Sequence, residues 1–88
     1  MIKTYSETFY EVMYPSGNGK FDARYYTIEE AVKGREDGVR REKEYFEEMH
    51  IDRKPVNYVI VETNYSKTYD DETHNFISST HTEKVLDV

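Results

Sequence analysis

Cysteine is absent from these 88 residues, which excludes a disulfide framework and any thiolate metal site and leaves stability to packing and backbone hydrogen bonds. No apolar run approaches the roughly 18–20 residues that a membrane span needs, and Met1 to Ser6 lacks the apolar stretch of a signal peptide. The expectation is a soluble, cytoplasmic chain with no membrane contact. Basic charge is also in deficit, 12 Lys and Arg against 18 Asp and Glu, for a formal net charge of −6. Such a field repels nucleic acid and favours solubility or a basic protein partner.

The residues of common catalytic machinery are equally sparse. There is no thiol, and no serine sits on a glycine-flanked elbow. His74 and His81 are an odd number of positions apart, so one regular strand would point them to opposite sides, and His50 lies on another element. Asp70-Asp71-Glu72 lacks the glycine-bearing ligand spacing of a calcium loop and reads as a solvated turn. Gly17-Asn18-Gly19-Lys20 has no strand-to-helix context for phosphate binding and reads as a hairpin turn. No metal or cofactor is expected, and the chain reads as non-enzymatic.

What the chain does contain is pattern. Tyr25 to Met49 is the one stretch whose apolar residues recur at helical spacing, and the flanks alternate as strands do. Nine tyrosines help bring the hydrophobic share to only 36%, so tyrosine must do much of the packing. A first strand is expected at Thr8–Tyr14, starting as early as Thr4. The turn Pro15–Gly19 then leads into a return strand, Lys20–Tyr26, with Phe21, Ala23 and Tyr25 on one face.

Thr27-Ile28-Glu29-Glu30 has the form of a capping box. The helix it opens carries Ile28, Val32, Val39 and Phe46 along one seam, flanked by Ala31, Tyr45 and Met49. Its outer face offers Glu29–Lys33, Glu36–Arg40 and Asp37–Arg41 as ion pairs. Gly34 and Gly38 each cost about 1 kcal/mol relative to alanine in a helix interior. They imply either close approach to the sheet along a continuous helix or a break near Gly38. Arg35 and Glu42 fall on the apolar seam, where they either snorkel past the sheet edge or mark a polar contact.

His50 to Pro55 forms a connector, Val56–Thr63 is the most β-prone run, and Asn64–Tyr69 extends it as a polar arm. After the Asp70–Glu72 turn, Thr73–Thr82 reads as a polar edge strand, and Glu83–Val88 continues it or frays. The expected fold is one α+β domain over residues 1–88. Two β-hairpins are joined by one helix, in the order ββαββ, and form a four-stranded, largely antiparallel sheet with the helix packed on one face.

The sheet's second face would stay open for a protein partner or a second copy in a homodimer. Glu44, Glu47, Glu48, Tyr58, Tyr65, Tyr69, Asp70 and Asp71 are the expected partner-binding residues. They would present an acidic, tyrosine-rich surface, as a small inhibitor or regulator would to a nucleic-acid-handling protein. Two alternatives stand beside this one. Single-stranded nucleic acid could stack on the open face through Tyr25, Tyr26, Tyr58, Tyr65 and Tyr69, with Lys20, Arg24 and Lys67 as basic neighbours, or a small enzyme could use the polar-seam candidates Arg35 and Glu42.

Overall fold

The first strand starts at Ile2, two positions before the earliest expected start at Thr4 and six before Thr8. β1 runs from Ile2 to Met13 and pairs residue for residue with β2, Val59–Asp70, from Ile2 opposite Asp70 to Met13 opposite Val59. β3, Phe76–Leu86, completes the sheet on the far side of β2, and the helix α1, Ile28–Glu48, joins β1 to β2. The structure, a computed structural model, describes residues 1–17, 19–21 and 23–88. Asn18 of the expected turn and Asp22 of the expected return strand lie outside the described residues.

The architecture is therefore βαββ, a three-stranded antiparallel sheet in the order β1-β2-β3 with one helix. The expected four-stranded ββαββ sheet is corrected. Among the described residues, the returning chain after β1 forms two isolated bridges, Tyr10 with Tyr25 and Met13 with Lys20, and no ladder. Between them, Glu11 and Val12 of β1 stand opposite a longer stretch of the returning chain, so a regular ladder cannot stay in step. The side chains of Phe21 and Tyr25 turn under the helix instead.

That turn explains the two helix glycines. A Cβ at Gly34 would collide with the Tyr25 hydroxyl, and one at Gly38 would collide with the Phe21 ring. The helix is continuous across both positions, so their propensity cost is offset by close approach rather than spent on a break. Thr27, extended at φ −132°, caps the start by accepting from the Glu30 amide at 3.1 Å.

The end closes as a Schellman motif: His50 N–H donates to the Glu47 carbonyl at 3.3 Å and Ile51 N–H to the Phe46 carbonyl at 2.8 Å. His50 takes the left-handed conformation there, at φ 55°. On the outer face Asp37 pairs with Arg40 at 3.5 Å, while Arg41 turns its Nε to the Asp37 carbonyl at 3.3 Å. The expected Asp37–Arg41 pair is thus replaced by an i,i+3 pair.

Val12, Ala31, Tyr58 and Ile60 form the buried centre, with Tyr10, Val32, Val39 and Leu86 packed around it. This core occupies one end of the sheet, and the remainder of the three strands runs past the helix. The molecule measures 60 × 22 × 20 Å. No helix among the described residues is long and apolar enough to cross a membrane.

Candidate interaction surface

Strand alternation gives the projecting arm two faces of different chemistry, because residues directly opposite one another across antiparallel strands share a face. On the side continuous with Val12 and Ile60, successive rungs read Thr8–Asn64–Thr82, Ser6–Ser66–Thr80 and Thr4–Thr68–Ser78. The Thr8 hydroxyl donates to Asn64 Oδ1 at 2.7 Å, and the Thr4–Thr68 and Ser6–Ser66 hydroxyl pairs lie at 3.4 Å. The result is a nine-residue hydroxyl and amide array.

The opposite side carries Glu7–Tyr65–His81, Tyr5–Lys67–Ser79 and Lys3–Tyr69–Phe76. Tyr5 sits diagonally between Tyr65 and Tyr69, within reach of both for side chains of this length. Lys67 Nζ lies 6.0 Å from the centroid of the Tyr69 ring, and the Tyr5 hydroxyl donates to Glu7 at 3.1 Å. That hydrogen bond and the charge of Glu7 raise the Tyr5 phenol above its ordinary pKa. Tyr5 and Phe76 are 50% and 60% exposed, which makes this an open aromatic face.

The aromatic face stops where Arg24 closes it. Its guanidinium stands 3.9 Å over the ring of Phe9, with a nitrogen 3.9 Å from Glu7. Phe9 and Thr63 are buried beneath this lid.

No protein-family model, curated protein or solved structure matches the chain.

The partner-binding residues expected from sequence fall into three places. Tyr65 and Tyr69 stand on the aromatic face. Asp70 and Asp71 sit at the arm's tip, where the Asp70 carboxylate accepts from the amides of Glu72 and Thr73 at 2.9 and 3.3 Å and shapes the turn. Asp71 pairs there with Lys3 at 3.2 Å.

Glu44, Glu47 and Glu48 are exposed on the last turns of α1, at the core end. The length of β2 alone, about 35 Å at roughly 3.3 Å per residue, separates that end from the tip. The acidic residues thus form two groups, not one surface.

Tyr58 belongs to neither group. It is 6% exposed, packs edge-on against Tyr14 and Phe21 at centroid distances of 5.2 and 4.8 Å, and donates its hydroxyl to Glu42. It is corrected from a contact residue to a core residue. Of the tyrosines named for base stacking, Tyr58 lies in the core and Tyr25 packs under Gly34, whereas Tyr26 is exposed and Tyr65 and Tyr69 stand on the arm.

The Glu42 carboxylate also accepts from the Val56 amide at 3.4 Å, so its place on the apolar seam is accounted for by structure. Arg35, half-buried, borders a hollow with Val39 and Val88. Among the described residues no group of three or more His, Asp and Glu side chains could hold a metal.

Sequence reasoning missed Tyr5, Phe76 and the hydroxyl array. The signal was present as a period of two in Thr4-Ser6-Thr8, in Lys3-Tyr5-Glu7 and in Ser78-Thr80-Thr82.

Proposed function

We propose that the chain is a non-enzymatic protein-binding module whose arm presents Tyr5, Tyr65, Tyr69 and Phe76 to a partner protein. The observation that carries this is the open aromatic face, held in register by ladder pairing on a sheet that no helix covers there. Tyrosines on paired strands offer large contact area at low entropic cost. The net charge of −6, with Glu44, Glu47 and Glu48 exposed at the far end, steers the module toward a basic partner. A small inhibitor or regulator of a nucleic-acid-handling protein has this chemistry. A cysteine-free chain can act in the reducing cytoplasm without change.

The test compares capture by the wild-type chain with capture by a Tyr5→Ser, Tyr65→Ser, Tyr69→Ser variant from a nuclease-treated lysate. A protein retained about tenfold or more better by wild type supports the proposal, since loss of central aromatic contacts is worth that much or more. Equal retention by both chains sinks it. Salt-sensitive retention of an oligonucleotide in place of a protein would favour the nucleic-acid alternative.

A further inference from the structure

We infer that β3 is the interface of a two-fold dimer, pairing edge to edge with β3 of a second copy in a register centred on His81. β3 has one neighbour, β2, and among the described residues nothing pairs with its outer side. Edge strands are ordinarily shielded by proline, charge or covering segments. β1 has such protection, since the returning chain bridges it at Tyr10 and Met13 and its open part carries Lys3 and Glu7. β3 has no proline, and Phe76 to Thr82 contains no Lys, Arg, Asp or Glu.

The pattern along β3 is self-complementary. From Ser78 to Leu86, beyond the irregularity at Ile77, every second residue directs its N–H and C=O outward, so two identical antiparallel edges pair residues of the same parity and the axis must pass through a residue. Centred on Thr80, the register would set Ile77 against Glu83. Centred on Thr82, it would set Ser79 against Val85 and carry Ile77 beyond the partner's strand.

Centred on His81, it sets Thr80 against Thr82, Ser79 against Glu83, Ser78 against Lys84, and Ile77 against Val85. Phe76, Ile77 and Val85 are 60%, 49% and 62% exposed in the single chain. The His81 register brings these apolar side chains together at both ends of the interface and opposes no like carboxylates or ammonium groups. The two sheets become one six-stranded sheet. Because the contact is isologous, the assembly closes at two copies, and both arm faces remain open, so partner binding through the aromatic face is independent of it.

Sedimentation equilibrium of the full chain tests this, with a concentration-dependent mass rising to twice 10.5 kDa expected. Ser79→Glu sets two new carboxylates against Glu83 of the second copy and weakens association about tenfold. Within one chain position 79 lies opposite Lys67, so the same change supports the monomer fold. His81→Cys gives a direct reading of the register in a chain with no other cysteine. Facing Cα atoms in an antiparallel pair are about 4.5–5.5 Å apart, within disulfide reach, and oxidation yields a covalent dimer while Asp52→Cys does not. A mass of one chain across the accessible concentration range overturns the inference. So does a dimer that neither responds to Ser79→Glu nor cross-links at position 81, or an open-ended polymer.

Discussion

The Tyr25 hydroxyl occupies the space that a Cβ at Gly34 would fill, and the Phe21 ring does the same at Gly38 one turn later. In an exposed helix a glycine-to-alanine change stabilises by about 1 kcal/mol. Here the added methyl must displace an aromatic side chain, and overpacking of that kind costs about 1–3 kcal/mol. Gly34→Ala and Gly38→Ala should therefore each lower stability in urea denaturation, against the helix propensity scale. In a Phe21→Ala background Gly38→Ala should become neutral or stabilising, and a double-mutant cycle would expose that coupling. A gain in stability from Gly38→Ala in the otherwise unchanged chain would mean that the contact is not felt.

Glu42 and Tyr58 join the helix to the start of β2. Tyr58→Phe leaves the carboxylate without its phenol donor and should cost about 2 kcal/mol, whereas Glu42→Gln retains an acceptor and should cost less. Burial first, and then the hydrogen bond to Glu42, raise the Tyr58 phenol well above its usual pKa. A phenol whose pKa is higher in the folded chain favours folding fully below the unfolded value of about 10 and loses that contribution as pH rises through the folded value. The stability gap between wild type and Tyr58→Phe should thus be constant from pH 7 to 9 and narrow above about pH 10. Denaturation curves at these pH values would show a parallel decline if the phenol were unperturbed.

The helix was legible in the sequence because its signals are local: a threonine cap, acidic residues in the first turn and apolar spacing near 3.6. The two glycines were legible as a question, close approach or break, and packing against Phe21 and Tyr25 decided it. The fourth strand was not legible. Phe21, Ala23 and Tyr25 alternate like a half-buried strand, yet alternation only says that these side chains share a direction. It cannot distinguish a ladder from a segment that tucks its aromatics under a helix.

Tyr58 was misplaced for a related reason, since a tyrosine in a β-prone run reads the same whether its hydroxyl meets solvent or a buried carboxylate. The arm's two faces required the register of β1 on β2. The period of two in Thr4-Ser6-Thr8 and Lys3-Tyr5-Glu7 separates the faces of one strand, but which β2 residues join each face is a relation between residues more than fifty positions apart that no local pattern encodes.

His50 closes the helix in the left-handed region, at φ 55°, where a side chain costs about 1–2 kcal/mol and glycine costs little. His50→Gly should stabilise the chain by about 1 kcal/mol while leaving both Schellman bonds in place. Thermal denaturation of the two chains under matched conditions would read the difference. No change or a loss would show that the imidazole itself contributes at this position.

Arg24 and Glu7 act on the aromatic face from opposite directions. The Glu7 carboxylate accepts the Tyr5 hydroxyl and raises its pKa, and the Arg24 guanidinium, positively charged beside the same group, lowers it. Glu7→Gln should therefore bring the Tyr5 phenol down toward its ordinary value, and Arg24→Ala should move it further up. Ring resonances followed by NMR through the alkaline titration would resolve Tyr5 from the other tyrosines. Arg24→Ala carries a second consequence, because it uncovers Phe9, which is 7% exposed, and forfeits a cation–π contact and alkyl packing worth about 1 kcal/mol. The two substitutions should separate cleanly, Glu7→Gln shifting the titration with little effect on stability and Arg24→Ala changing both. If both left the Tyr5 titration unmoved, the side chains would not share the arm face in the arrangement described.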